Sequence, residues 1–177
     1  MIGPELAEKI KGAIRDIPDY PKKGIIFKDI TPLLADGPLF KSVIDTFAMH
    51  FKTDRIDKIV GIESRGFIFG APLATRLGVG FVPVRKKGKL PAKTRSVTYA
   101  LEYGEDTLEM HADAIAAGER VLVVDDLLAT GGTAQATCQL IEETGGSVVG
   151  FSCIIELGFL GGIKKLHKYP VVALIKY

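Results

Sequence analysis

The chain has 177 residues, 47% of them apolar and 25% charged, with a formal net charge of +2. Such a length and composition suit one soluble globular domain covering 1–177, with a sizeable core. The small net charge gives no argument for a nucleic-acid partner, and no apolar run approaches the roughly 20 residues that cross a bilayer.

The first residues carry no signal-like apolar segment, so the cytoplasm is the expected compartment. Cys138 and Cys153 have no disulfide or metal spacing and read as small buried hydrophobes. His50, His111 and His167 are scattered and likewise show no metal spacing.

In chain order, residues 4–15 predict a helix, with Pro4 near its start and Ile10 and Ile14 four apart. Residues 16–23 read as a loop with two prolines, and Gly24 to Pro32 as a short extended segment ending in a turn. Phe40, Val43, Ile44, Phe47, Ala48 and Phe51 give helical spacing over 36–51. Residues 57–61 read as a central strand, and a helix follows from about 67 to 76. Between them lies Gly61-Ile62-Glu63-Ser64-Arg65-Gly66, a glycine-bracketed loop in which the Arg65 fork suits diphosphate oxygens. The bland alternative is an arginine on a solvated helix start.

Another strand is expected over 79–84, running into Arg85-Lys86-Lys87-Gly88-Lys89-Leu90-Pro91. A charge run is usually a solvated loop, but this one sits at a strand end, where anions bind in α/β sheets. The polar stretch 86–96 has the length of a lid. Alternation over 93–109 then predicts a two-stranded ribbon turning at Gly104.

The chain is organised around Val121 to Thr133. Four aliphatic residues without polar alternation suit a strand buried on both faces of a parallel sheet. Asp125 and Asp126 follow where that strand would end, and Ala129, Thr130, Gly131, Gly132 and Thr133 lead into a helix over 134–143. Two glycines, two hydroxyls and a helix N-terminus form a cradle for a phosphate. The two aspartates repel phosphate but accept hydrogen bonds from a vicinal diol, so the pair of features points to a ribose 5-phosphate. An NTPase with acidic residues on Mg²⁺ would need a P-loop, and the sequence lacks G-x-x-x-x-G-K-[ST]. Strands over 147–156 and 171–175 complete the sheet.

The stretch Asp-Asp-Leu-Leu-Ala-Thr-Gly-Gly-Thr resembles the phosphoribosyl-diphosphate (PRPP) motif of type I phosphoribosyltransferases, in its adenine phosphoribosyltransferase form. Glu-Ser-Arg-Gly-Phe, Arg-Lys-Lys-Gly-Lys-Leu-Pro and Leu-Glu-Tyr-Gly extend the resemblance over nearly the whole chain. It implies an α/β fold with a mostly parallel central sheet flanked by helices. A small hood would come from about 1–35 and the C-terminal region, and a flexible lid from about 86–104. It further implies a homodimer that converts adenine and PRPP to AMP and pyrophosphate, with Mg²⁺ carried mainly by PRPP and water rather than by protein ligands.

Residue roles follow from the same resemblance. Asp125, Asp126, Ala129, Thr130, Gly131, Gly132 and Thr133 would hold the ribose 5-phosphate. Glu63, Ser64, Arg65, Arg85, Lys86 and Lys89 would meet the diphosphate, with a cis peptide between Glu63 and Ser64 and some basic residues serving the neighbouring subunit. Adenine would lie between Phe27 and Leu157, with Ile26 and Lys28 beside it. By composition alone, Phe27 and Leu157 are equally well core residues. Lys28 stands where family members often have Arg, so its backbone rather than its side chain is the expected contact. Glu102 would be the acid/base at the purine, Tyr103 a closing-loop residue and Arg65 a third catalytic group. Two rivals stay open: a phosphoribosyltransferase for another nucleobase, and a non-catalytic PRPP-sensing regulator.

Overall fold

The computed structural model describes residues 2–100 and 104–177. Its elements in chain order are α1 (Pro4–Gly12), β1 (Arg15–Pro18), β2 (Ile26–Asp29), α2 (Thr31–Ala35), α3 (Gly37–His50), β3 (Lys58–Ile62), α4 (Arg65–Leu77) and β4 (Gly80–Lys86). Then come β5 (Thr94–Ala100), β6 (Glu105–His111), β7 (Arg120–Val124), β8 (Leu127–Leu128), α5 (Gly132–Glu143), β9 (Ser147–Glu156) and β10 (Val171–Lys176).

Parallel strands in the order β10-β9-β7-β3-β4 form the body of the main sheet, and short β8 adds to β9. The ribbon β5–β6 joins antiparallel at the end of β4, through Arg85 opposite Glu109 and Lys86 opposite Leu108. The β7 run behaves as its composition demands. Val121, Leu122, Val123 and Val124 are all fully buried. Leu122 and Val124 face a core shared with α1, α3 and α4, while Val121 and Val123 face a second core shared with α5 and the ribbon. Each such side chain contributes roughly 1.5–3 kcal/mol on burial. Cys138 and Cys153 are free thiols in the second core, and burial pushes the Cys138 thiol up to about 12.

Connectivity places the functional ends. From β3 the chain crosses through α4 to β4 on one side, and from β7 through α5 to β9 on the other. Strands β3 and β7 are parallel neighbours, with Gly61 opposite Val124. The crevice between their carboxyl ends is therefore the switch point of the sheet, where ligands of open α/β folds bind.

Two short elements depart from the sequence expectation. Part of the predicted loop at 16–23 is strand β1, which pairs antiparallel with β2. Ion pairs flank the ladder: Arg15 lies 2.7 Å from Asp29, and Lys28 lies 2.7 Å from Asp16. The backbone N–H of Thr31, with the Arg15 guanidinium, lowers the Asp29 carboxyl to about 2. The turn expected at the end of the 24–32 segment is instead helix α2, which starts at Thr31 with Pro32 in its first turn. The gap expected over 86–96 is shorter, because β4 runs to Lys86 and β5 begins at Thr94.

Candidate functional site

Two loops leave the crevice side by side, one after β3 and one after β7. In the first, the Glu63–Ser64 peptide is cis, as the resemblance implied. Arg65 opens α4, and its Nε lies 3.0 Å from Asp126 Oδ2 in the second loop. That oxygen is buried and accepts no aligned hydrogen bond, so it keeps acceptor capacity for a hydroxyl. Asp125 receives the Asp126 N–H at 2.9 Å on Oδ1. Its own N–H donates to Ser152 O at 3.0 Å, and Ile154 and Ile155 donate to Asp126 O, so β9 fixes both aspartates.

Burial, then the charge of Asp126, pushes the Asp125 carboxyl well above the ordinary range. Asp125 still shows part of its surface to solvent. Burial also raises Asp126, and Arg65 opposes that rise. A diol that donates to both carboxylates would relieve the same strain on their charge.

Beyond Asp126 the chain wraps a hollow of about 90 Å³ lined by Asp125 and residues 127–134. Gly131, at φ +76, turns the chain into α5, and no side chain caps the helix start. An added Cβ at Gly131 would meet Gly162 O at 2.4 Å, so the loop fits closely against the segment after β9. The helix N-terminus thus points its N–H groups and partial positive charge into a small polar cup. Thr133 Oγ1 at its rim is 3.0 Å from Tyr99 OH.

A larger cavity of about 300 Å³ adjoins it, lined by Glu63, Ser64, Arg65, Lys86, Asp125 and Asp126, with Tyr99, Asp106 and Thr133 closing the side toward the ribbon. Glu63 organises the basic cluster: its Oε1 lies 3.3 Å from both Arg85 and Lys89, and its Oε2 takes the Lys86 N–H at 2.9 Å. Burial pushes the Glu63 carboxyl up, but the Lys86 N–H, Arg85 and Lys89 outweigh it and hold the group below its ordinary value. Lys86 Nζ reaches Asp106 Oδ2 at 2.5 Å.

The residues expected at a base are arranged around β2. Phe27 packs edge-on against Tyr20, with ring centroids 5.2 Å apart, and the Arg65 guanidinium sits 5.1 Å from its centroid. Arg65 therefore touches both the aromatic position and the aspartate pair. Ile26 is exposed. The Lys28 side chain lies on Asp16 and places its ammonium 3.8 Å from the Tyr177 ring centroid, while its backbone runs in β2 opposite Asp16. Leu157 packs against the first core, and its N–H bonds Leu128 O at 2.9 Å. Gly158 donates to Tyr177 O, so Tyr177 ties the Leu157 segment to β2.

Glu102 and Tyr103 lie outside the described residues. Tyr99 and Asp106 were not singled out in the sequence. Their only signal was position, since both fall on the ribbon flanking Gly104 and the alternation that predicts the ribbon says nothing of which face meets a cavity.

Residues 31–173 match the family model described as a phosphoribosyl transferase domain. An adenine phosphoribosyltransferase of Anaeromyxobacter sp. is 57% identical over 170 residues, 96% of each chain. The crystal structure of adenine phosphoribosyltransferase from Thermoanaerobacter pseudethanolicus superposes with a TM-score of 0.94 at 56% identity, covering 97% of this chain and 99% of that one. The Saccharomyces cerevisiae enzyme, complexed with adenine and an imino-altritol bisphosphate, gives 0.93 at 44% identity, covering 97% and 99%.

Proposed function

The chain belongs to the phosphoribosyltransferase family, among its adenine phosphoribosyltransferases, and from that premise we propose how its residues divide the work. It transfers the 5-phosphoribosyl group of PRPP to adenine, giving AMP and pyrophosphate. The observation that carries the assignment of parts is the meeting of the two loops through Arg65 and Asp126 at 3.0 Å. That contact supports reading the aspartate pair, the small hollow beside it and the basic cluster as parts of one crevice.

The 5-phosphate sits on the N–H groups and hydroxyls of Ala129, Thr130, Gly131, Gly132 and Thr133. Asp125 and Asp126 accept from the ribose hydroxyls and hold the sugar still. The Glu63-Ser64-Arg65 loop, with Arg85, Lys86 and Lys89, draws charge from the leaving diphosphate as the C1–O bond lengthens. Phe27 and Leu157 bracket the adenine, with the backbone at Ile26 and Lys28 along its edge. A base nitrogen forms the new bond to C1 as the diphosphate oxygen departs with the bonding pair. The base sheds one proton, for which Glu102 is the acceptor and Tyr103 a neighbour on the closing segment.

Mg²⁺ fits as a cation that arrives on the diphosphate. Glu63, the carboxylate amid the basic cluster, is already engaged by three donors, which suits a hard ion that keeps water and phosphate ligands. When bound it neutralises diphosphate charge. The chain acts as a homodimer in the cytoplasm, a reading supported by its relatives' family and by two free thiols, and sedimentation of the purified protein tests the dimer. For the division of parts, substituting Arg65→Ala should cost both PRPP binding and turnover. Loss of neither would separate the two loops functionally.

A further inference from the structure

Each of the four basic side chains assigned to the diphosphate is already ion-paired: Arg65 with Asp126, Arg85 and Lys89 with Glu63, and Lys86 with Asp106. Glu63 and Asp126 have structural or ligand-binding work of their own. Asp106 belongs to neither loop. It stands on β6, across the cavity from them.

The two members of its pair differ in freedom. Asp106 is pinned, because its Oδ1 accepts the Thr107 N–H at 2.9 Å and its side chain is only 19% exposed. The Lys86 backbone is pinned too, by its N–H to Glu63 Oε2. The Lys86 side chain is 56% exposed and ends a four-carbon stem, so the ammonium is the part that can swing. Asp106 and Lys86 both line the cavity that also holds the Glu63 loop.

We infer that Asp106 is an internal counter-anion that exchanges with the substrate's diphosphate for the Lys86 ammonium. Diphosphate entering the cavity takes Lys86 from Asp106, and departing pyrophosphate hands it back. The ammonium is then never left without an anion. The exchange lowers affinity for diphosphate and eases the release of pyrophosphate. Asp106 acts through Lys86 and is a positioning residue. The proposal rests on the transferase reading of the crevice.

The test is titration calorimetry of inorganic pyrophosphate, with and without Mg²⁺, into the wild-type chain and into Asp106→Asn and Asp106→Ala. Steady-state kinetics accompany it. Removing the competing carboxylate should tighten pyrophosphate about fivefold, the size expected for a partly exposed ion pair. The KM for PRPP should fall with it, and the KM for adenine should stay unchanged. The gain should shrink in a Lys86→Met background. Weaker pyrophosphate binding in both variants would mean that Asp106 merely holds Lys86 in place, and unchanged binding would mean that no exchange occurs; either overturns the inference. Calorimetry reads the exchange without turnover, so an absence of AMP formation by the wild-type chain would count against the transferase reading alone.

Discussion

Replacing Gly131 with alanine separates two effects that glycine avoids in the phosphate cup. At φ +76 an L-residue costs roughly 1 kcal/mol relative to glycine. The new Cβ would also lie 2.4 Å from Gly162 O, and ordinary contact begins near 3.4 Å, so one backbone segment must yield by about 1 Å. A carbonyl in a packed segment does not rotate aside as a flexible side chain does. The total loss should be about 2–4 kcal/mol, a fall in Tm of roughly 6–12 °C for a chain of this size. Displacement of the cup by about 1 Å should cut PRPP-dependent turnover about 100-fold. Gly118→Ala is the control. Gly118 also has positive φ, at +82, but a Cβ there meets nothing within 4 Å. It should lose only about 2–4 °C and keep its KM for PRPP. A Gly131→Ala protein that melts no lower than Gly118→Ala, or that binds PRPP as the wild type does, would refute the argument.

Phe27→Ala should raise the KM for adenine about tenfold, the worth of one aromatic stack on a base, and leave the KM for PRPP unchanged; parallel kinetics with each substrate varied would show it. Asp125→Asn should trade function for stability. Burial and Asp126 raise the Asp125 carboxyl in the folded protein, so folding disfavours the charged form. That penalty is absent at low pH and grows as pH rises past the ordinary value of 3.8. The variant should therefore melt higher than wild type at pH 7, match it near pH 3.8, and bind PRPP at least tenfold more weakly. Melting curves across pH with PRPP titrations check both signs. Glu102→Gln should cut turnover at least 100-fold while sparing PRPP affinity, read by comparing kcat with equilibrium binding.

How much of this was legible in the sequence depends on what kind of signal each part carries. The β7 strand announced itself, since four aliphatic residues in a row have no other comfortable place than a doubly covered strand. The aspartates and the glycine cup followed from chemistry that only a few residue types can supply. Strand β1 gave no such signal, because Arg15, Asp16, Ile17 and Pro18 neither alternate nor bury, and their partners in β2, across both the backbone ladder and the ion pairs, lie eight or more positions away. Helix α2 is five residues long, shorter than any periodic pattern can report. Asp106 illustrates the deeper limit. It is one of several charged residues on a half-exposed ribbon, and only the register of β4 with β6 brings it to Lys86. Lys28 shows the converse: where the family often has arginine, its side chain lies on Asp16 and the Tyr177 ring, contacts to positions twelve residues before it and at the far end of the chain.

The most direct test is a panel of bases. Purified protein with PRPP and Mg²⁺ is given adenine, hypoxanthine, guanine, xanthine or orotate, and nucleotide formation is followed. AMP should form from adenine, and no nucleotide from the other four bases. Turnover of a different base in preference to adenine would contradict the assignment of Ile26, Phe27 and Leu157, and binding of PRPP with no turnover of any base would contradict catalysis itself.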